Sequence, residues 1–166
     1  MKEMHSLASL RNSPFDQWGT KIKMDDTAQW DTILLLAPFM LDQLDGIAPW
    51  ENPNAYLPTV FLSAQQKLQQ AKECFQQRKK TEASKPLLFS LALFLDALFW
   101  MNHRRFVSLD DLSVIISSFQ WKPINVVERV NFILQKPTLF HSSIQLEQLL
   151  DELIKVNVKR KIKAGE

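Results

Sequence analysis

The residue in this chain best placed to do chemistry is Asp96. It is the one charge in the apolar run from Leu87 to Met101. Its helical neighbours three and four positions away include Ala92, Leu93, Phe99 and Trp100, none able to neutralise it. A lone buried carboxylate is costly, and burial pushes its pKa upward. Asp96 could therefore act as a general acid or base in a pocket. No second catalytic group accompanies it, so a buried structural ion pair is the better reading. Arg129 is the expected partner, with the Trp121 indole and Lys122 next in line.

Other reactive constellations are missing from the sequence. His5, His103 and His141 are far apart, with no His-x-x-x-His pair and no cysteine partner for a metal. The single cysteine, Cys74, excludes an internal disulfide and reads as a small packing or surface residue. The three glycines are never adjacent, so no phosphate-cradling loop is present. The expectation is a non-enzymatic protein with no catalytic residues, no cofactor and no metal.

Net charge is only +2, too mild to imply a polyanion partner by itself. The cations are nevertheless clustered, in Arg78-Lys79-Lys80, in Arg104 and Arg105, and in Lys155, Lys159, Arg160, Lys161 and Lys163. Arg104 and Arg105 follow an apolar helix, where cations suit the dipole and Asn102 can take the left-handed turn. They and the C-terminal cations are the candidates for contact with an anion or nucleic acid. The tail has no aromatic residue on which bases could stack, which disfavours sequence-specific single-strand binding.

The elements that must position these residues are helical. Glycine scarcity, 3 against 8 prolines in 166 residues, argues against tight β-hairpins. Leu57, Phe61, Ala64, Leu68, Ala71 and Phe75 recur at helical spacing, with glutamines on the remaining faces. Ser84 and Pro86 look like a cap and first-turn proline for the next helix, which is apolar nearly all round and so belongs in the middle of a bundle. Ser108 to Asp111 and Asn125 to Glu128 have the spacing of helix N-termini, and Leu146, Leu149, Leu150 and Leu153 stripe a last helix.

The fold class is thus all-α, an irregular helical bundle of about five to seven helices around a central apolar helix at residues 86–102. Residues 1–24 lack a helical period and read as a loosely ordered N-terminal arm, dispensable for folding. Residues 25–158 form a single helical domain and 159–166 a basic C-terminal tail. The first residues lack the continuous apolar stretch of a secretory signal. The apolar run from Pro86 is shorter than the roughly 20 residues a membrane span needs.

Three stretches, ALFWMNHRRFVSLDDL, WKPINVVERVNFILQKP and FHSSIQLEQLLDEL, resemble the YpoC-like family of Bacillus-type Gram-positive bacteria, over roughly Leu87 to Leu153. The resemblance implies a cytoplasmic helical protein and brings no catalytic signature to any residue. The function expected is a protein–protein interaction module, with an unknown protein partner held by a helical groove or by tryptophans near the arm. The alternative is weak, sequence-nonspecific nucleic-acid binding through the basic patches.

Overall fold

The computed structural model describes residues 2–5, 8–18 and 21–166 of the chain. Among them are six α-helices: α1 (Trp30–Leu34), α2 (Leu57–Gln76), α3 (Lys80–Met101), α4 (Leu112–Ser117), α5 (Val126–Gln135) and α6 (Phe140–Ala164). The fold is an all-helical bundle in which α3 is central, buried from Leu87 to Met101 without a break. An element not anticipated from sequence stands at the N-terminus. Strands β1 (Lys2–His5) and β2 (Lys21–Met24) pair antiparallel, Lys2 opposite Met24 and His5 opposite Lys21.

The stripe read along α2 is the face it buries, from Leu57 to Phe75, and the six glutamines are exposed. A short turn then reverses the chain, so α2 and α3 form an antiparallel hairpin. Arg78 makes the reversal in the left-handed region (φ 60). Its N–H donates to the Phe75 carbonyl and that of Lys79 to the Cys74 carbonyl, closing a Schellman motif. This turn also starts α3 at Lys80, six residues earlier than the start at Pro86 that the sequence suggested. Pro86 lies inside the helix and has no N–H for the Glu82 carbonyl. The buried Ala83 anchors those first turns against the core, so packing carries the helix past the missing bond. At 22 residues α3 is long and apolar enough to cross a bilayer, so the length argument against a span fails. In this fold 83% of its most apolar window is buried by protein.

The end of α3 repeats the same motif, with His103 rather than Asn102 in the left-handed position (φ 55). The N–H groups of His103 and Arg104 reach the carbonyls of Trp100 and Phe99. Asn102 is used differently. Its side chain donates to the Leu98 and Trp121 carbonyls, both at 2.8 Å, and accepts from the Trp121 N–H at 3.0 Å. It fastens the loop before α5 to the end of α3. The expected caps also differ in detail: the Ser108 hydroxyl accepts from the Asp110 N–H within a turn, and neither Asp111 nor Asn125 makes a side-chain cap bond.

The arm expected over residues 1–24 is not separate from the core. Residues 1, 6, 7, 19 and 20 lie outside the described residues. Of the rest, Leu10, Phe15 and Met24 are buried in the main hydrophobic cluster. Phe15 sets its edge on Phe39 and Trp18 its edge on Phe89. A boundary at residue 25 cuts through this packing. The physical reason is that isolated aromatic anchors bury a chain as well as a periodic stripe does, without leaving a period to read.

Candidate functional site

Asp96 is 1% exposed, as expected for its place on α3. Its partner is another acid, Asp42, which is fully buried at 0% exposure. The two buried carboxyls are neighbours, each acting on the other's ionisation, and each has one side-chain oxygen without a hydrogen-bond partner, Asp42 Oδ2 and Asp96 Oδ1. Asp42 arrives from an irregular segment in which residues 37–42 are all buried. Its Oδ1 accepts from the Trp100 indole N–H and from the Phe106 backbone N–H, each at 2.9 Å. Its backbone carbonyl accepts from Arg105 Nε. The Phe39 amide supports Asp96 from the same segment.

Phe39 stands in the left-handed region (φ 62), a conformation that costs an ordinary side chain about 1–2 kcal/mol. Packing holds it there: its ring stacks on Phe106 at 3.8 Å and meets Phe15 edge-on at 5.3 Å. Burial raises the pKa of both acids. For Asp96 burial is the main cause, and the neighbouring Asp42 carboxyl adds to it while the Phe39 amide opposes it. Asp42 is held down by Asp96, Trp100, Phe106 and the nearby Arg105 charge.

Arg129 does not meet Asp96. It binds Glu152 at 2.9 Å and Gln145 at 3.2 Å across the α5–α6 groove. Trp121 and Lys122 are elsewhere too, the latter donating to the Ser117 and Phe119 carbonyls at the end of α4. A long arginine on an amphipathic helix reaches the nearest solvent-side acid, whereas Asp96 lies on the wall of α3 that the 37–42 segment covers. Asp42 did leave a signal: like Asp96, it is a single acid after an apolar run, Phe39-Met40-Leu41. Nothing in either local sequence says that the two runs meet.

The basic candidates divide by environment. The chain turns back after α2, so Arg78-Lys79-Lys80 lie at the opposite end of α3 from Arg104, about 33 Å away at 1.5 Å per residue. Arg105 is committed to the Asp42 carbonyl and lies over the Trp50 ring at 5.4 Å. Arg104 is exposed and borders a shallow hollow of about 260 Å³ with His103 and Trp121. Arg160, counted with the tail, is 4% exposed and turned inward. It donates to Asn54 and Asn157 and pairs with Glu166 at 3.8 Å. Residues 159–164 are the last turns of α6, which closes with Gly165 in the left-handed position and the Glu166 N–H on the Lys161 carbonyl.

What remains outward on α6 is an ordered face. Val158 and Ile162, one turn apart, are 52% and 72% exposed. At helical spacing, Lys155, Lys159 and Lys163 run along one flank and Lys161 lies on the other. Lys163 also sits over Trp121 at 5.6 Å. Among the described residues, no three His, Cys, Asp or Glu side chains gather where they could hold a metal. Trp18 and Trp30, near the arm, are partly buried in the core, on Phe89 and Tyr56.

The likeness to other proteins extends further along the chain than residues 87–153. The YpoC-like protein family matches over residues 54–165. The uncharacterised protein YpoC of Bacillus subtilis (strain 168) is 35% identical over 113 residues, covering 68% of this chain and 69% of that protein. No solved structure matches. The matched region takes in α2 to α6, the central helix with Asp96 and the lysine-flanked face, and on that extent this chain belongs to the YpoC-like protein family.

Proposed function

We propose that this protein is a non-enzymatic interaction module that docks an acidic, helical segment of a partner protein on the outer face of α6. The observation that carries the reading is the exposed pair Val158 and Ile162 set among Lys155, Lys159, Lys161 and Lys163. Leu146, Leu149, Leu150 and Leu153 turn the opposite face of α6 into the core. Two aliphatic anchors flanked by lysines suit an amphipathic helix with apolar residues one turn apart and Asp or Glu on either side. The Arg160 contacts and the Gly165 closure hold these turns in place before binding, which lowers the ordering cost of association.

The lysines alone would also suit nucleic acid, and that second reading is separable. Affinity capture should compare the wild type with Val158→Asp/Ile162→Asp and with a variant carrying Glu at the four lysines. A protein retained by the wild type and lost by both variants supports the proposal. Loss with the lysine variant alone, together with duplex DNA binding whose log–log salt slope is about −3.6 for four phosphate contacts, would replace it by the nucleic-acid reading.

A further inference from the structure

We infer that Asp42 and Asp96 share a single proton and act as a clasp that fastens the 37–45 segment to α3 and loosens when alkali removes that proton. The geometry points to this before any titration is considered. The donors around the pair are assigned to particular atoms: the Trp100 indole and the Phe106 amide both end on Asp42 Oδ1. Among the described residues, the buried side-chain oxygens with no hydrogen-bond partner are Asp42 Oδ2 and Asp96 Oδ1, one on each carboxyl. One proton between the carboxyls satisfies both. Two ionised carboxylates would leave both unsatisfied and place like charges together in a buried site.

The surrounding groups do not relieve that repulsion. On α3 the adjacent polar side chain is the neutral Trp100 indole. In the loop after α3, Arg105 is the charge acting on Asp42, and it also holds the Asp42 carbonyl. His103 in that loop is turned to the Trp50 carbonyl at 2.8 Å. From the start of α2, Tyr56 presents its ring to Trp100 at 6.3 Å. Among the described residues no salt bridge reaches either acid. One positive charge beside the pair balances one negative charge, which is the state with a single shared proton.

The sign follows from linkage. Asp96 has a folded pKa raised above its unfolded value, so the folded state holds a proton that the unfolded state has released. The stabilisation is complete below the unfolded value, near the ordinary carboxylate range, and is lost as pH rises through the raised folded value. Asp96→Asn removes the titration while keeping an N–H donor toward Asp42.

The test uses the full chain. Infrared spectra of the wild type near neutral pH should show the carbonyl stretch of a protonated carboxyl, absent in Asp96→Asn and retained in Glu152→Gln. In urea melts the folding constant of the wild type should fall relative to Asp96→Asn by about tenfold per pH unit within that window. Proteolysis within residues 35–46 should quicken with pH in the wild type and not in the variant. Parallel pH profiles for the two proteins would overturn the inference. So would the absence of the protonated-carboxyl band from the wild type, a measurement that does not depend on any variant folding.

Discussion

The described residues of 8–50 and those of 54–165 are buried to similar purpose by different means. The second region, the one shared with the family, packs long helices through repeated stripes: α2 along Leu57 to Phe75 and α6 along Leu146 to Leu153. The first has the strand β2, a five-residue helix and short 3-10 turns, yet it contributes Leu10, Phe15, Ile33, Leu34, Phe39, Met40 and Leu41 to the same core. A stripe distributes its hold over many equivalent contacts, so the loss of one side chain leaves the helix docked. A wrapped segment with few regular backbone hydrogen bonds depends on single anchors. Two of them are a polar contact, Asp42 on Trp100 and Phe106, and an aromatic cluster of Phe15, Phe39 and Phe106.

The sharpest way to break this contrast is Asp42→Ala. It strands two buried donors, the Trp100 indole and the Phe106 amide, at about 1–3 kcal/mol each. A loss on the order of 4 kcal/mol is expected in urea melts, while Asp42→Asn, which keeps an acceptor oxygen, should lose much less. Phe15→Ala should follow at about 3 kcal/mol, the cost of emptying a buried aromatic site. A chain starting at Asp25 should then expose apolar surface and bind a hydrophobic dye. Unchanged stability in Phe15→Ala would return residues 8–18 to the status of a dispensable arm.

The same contrast explains what could be read in advance. The stripes of α2 and α6 and the all-round apolar character of α3 are periodic, so the helices, their buried faces and the burial of Asp96 were legible. The pairing of Asp96 was not, because it joins residues 54 positions apart through a segment with no period (96 − 42). Electrostatic intuition pointed to a cation, Arg129, since opposite charge is the commonest way to neutralise a buried acid. A second carboxyl does the same work by holding a proton, and sequence does not distinguish the two. The buried inward turn of Arg160 was hidden for a related reason: its neighbours in sequence are lysines that point to water.

A smaller effect concerns how the long helices end. α2, α3 and α6 all close with a left-handed residue, Arg78, His103 and Gly165 respectively. Only glycine takes that conformation without a Cβ penalty. Arg78→Gly should therefore stabilise the protein by up to about 1 kcal/mol, read as a raised urea midpoint. His103→Gly should gain less, because it forfeits the ring contact with the Trp50 carbonyl that ties the helical region to the wrapped one.

The smallest expected effect sharpens the comparison most directly, because it asks whether the two regions are electrostatically independent. Arg129 and Glu152 pair within the helical region at 2.9 Å, with the glutamate side chain 40% exposed. Solvent screening limits such a pair to a coupling of about 0.5 kcal/mol. A double-mutant cycle of Arg129→Ala with Glu152→Ala should recover that value, and it should shrink in high salt. A cycle of Arg129→Ala with Asp96→Ala should give additive losses, since no contact joins them and Asp96 answers to Asp42. Measurable coupling between Arg129 and Asp96 would mean that the buried acid senses the α5–α6 groove. The wrapped segment would then no longer be its sole partner.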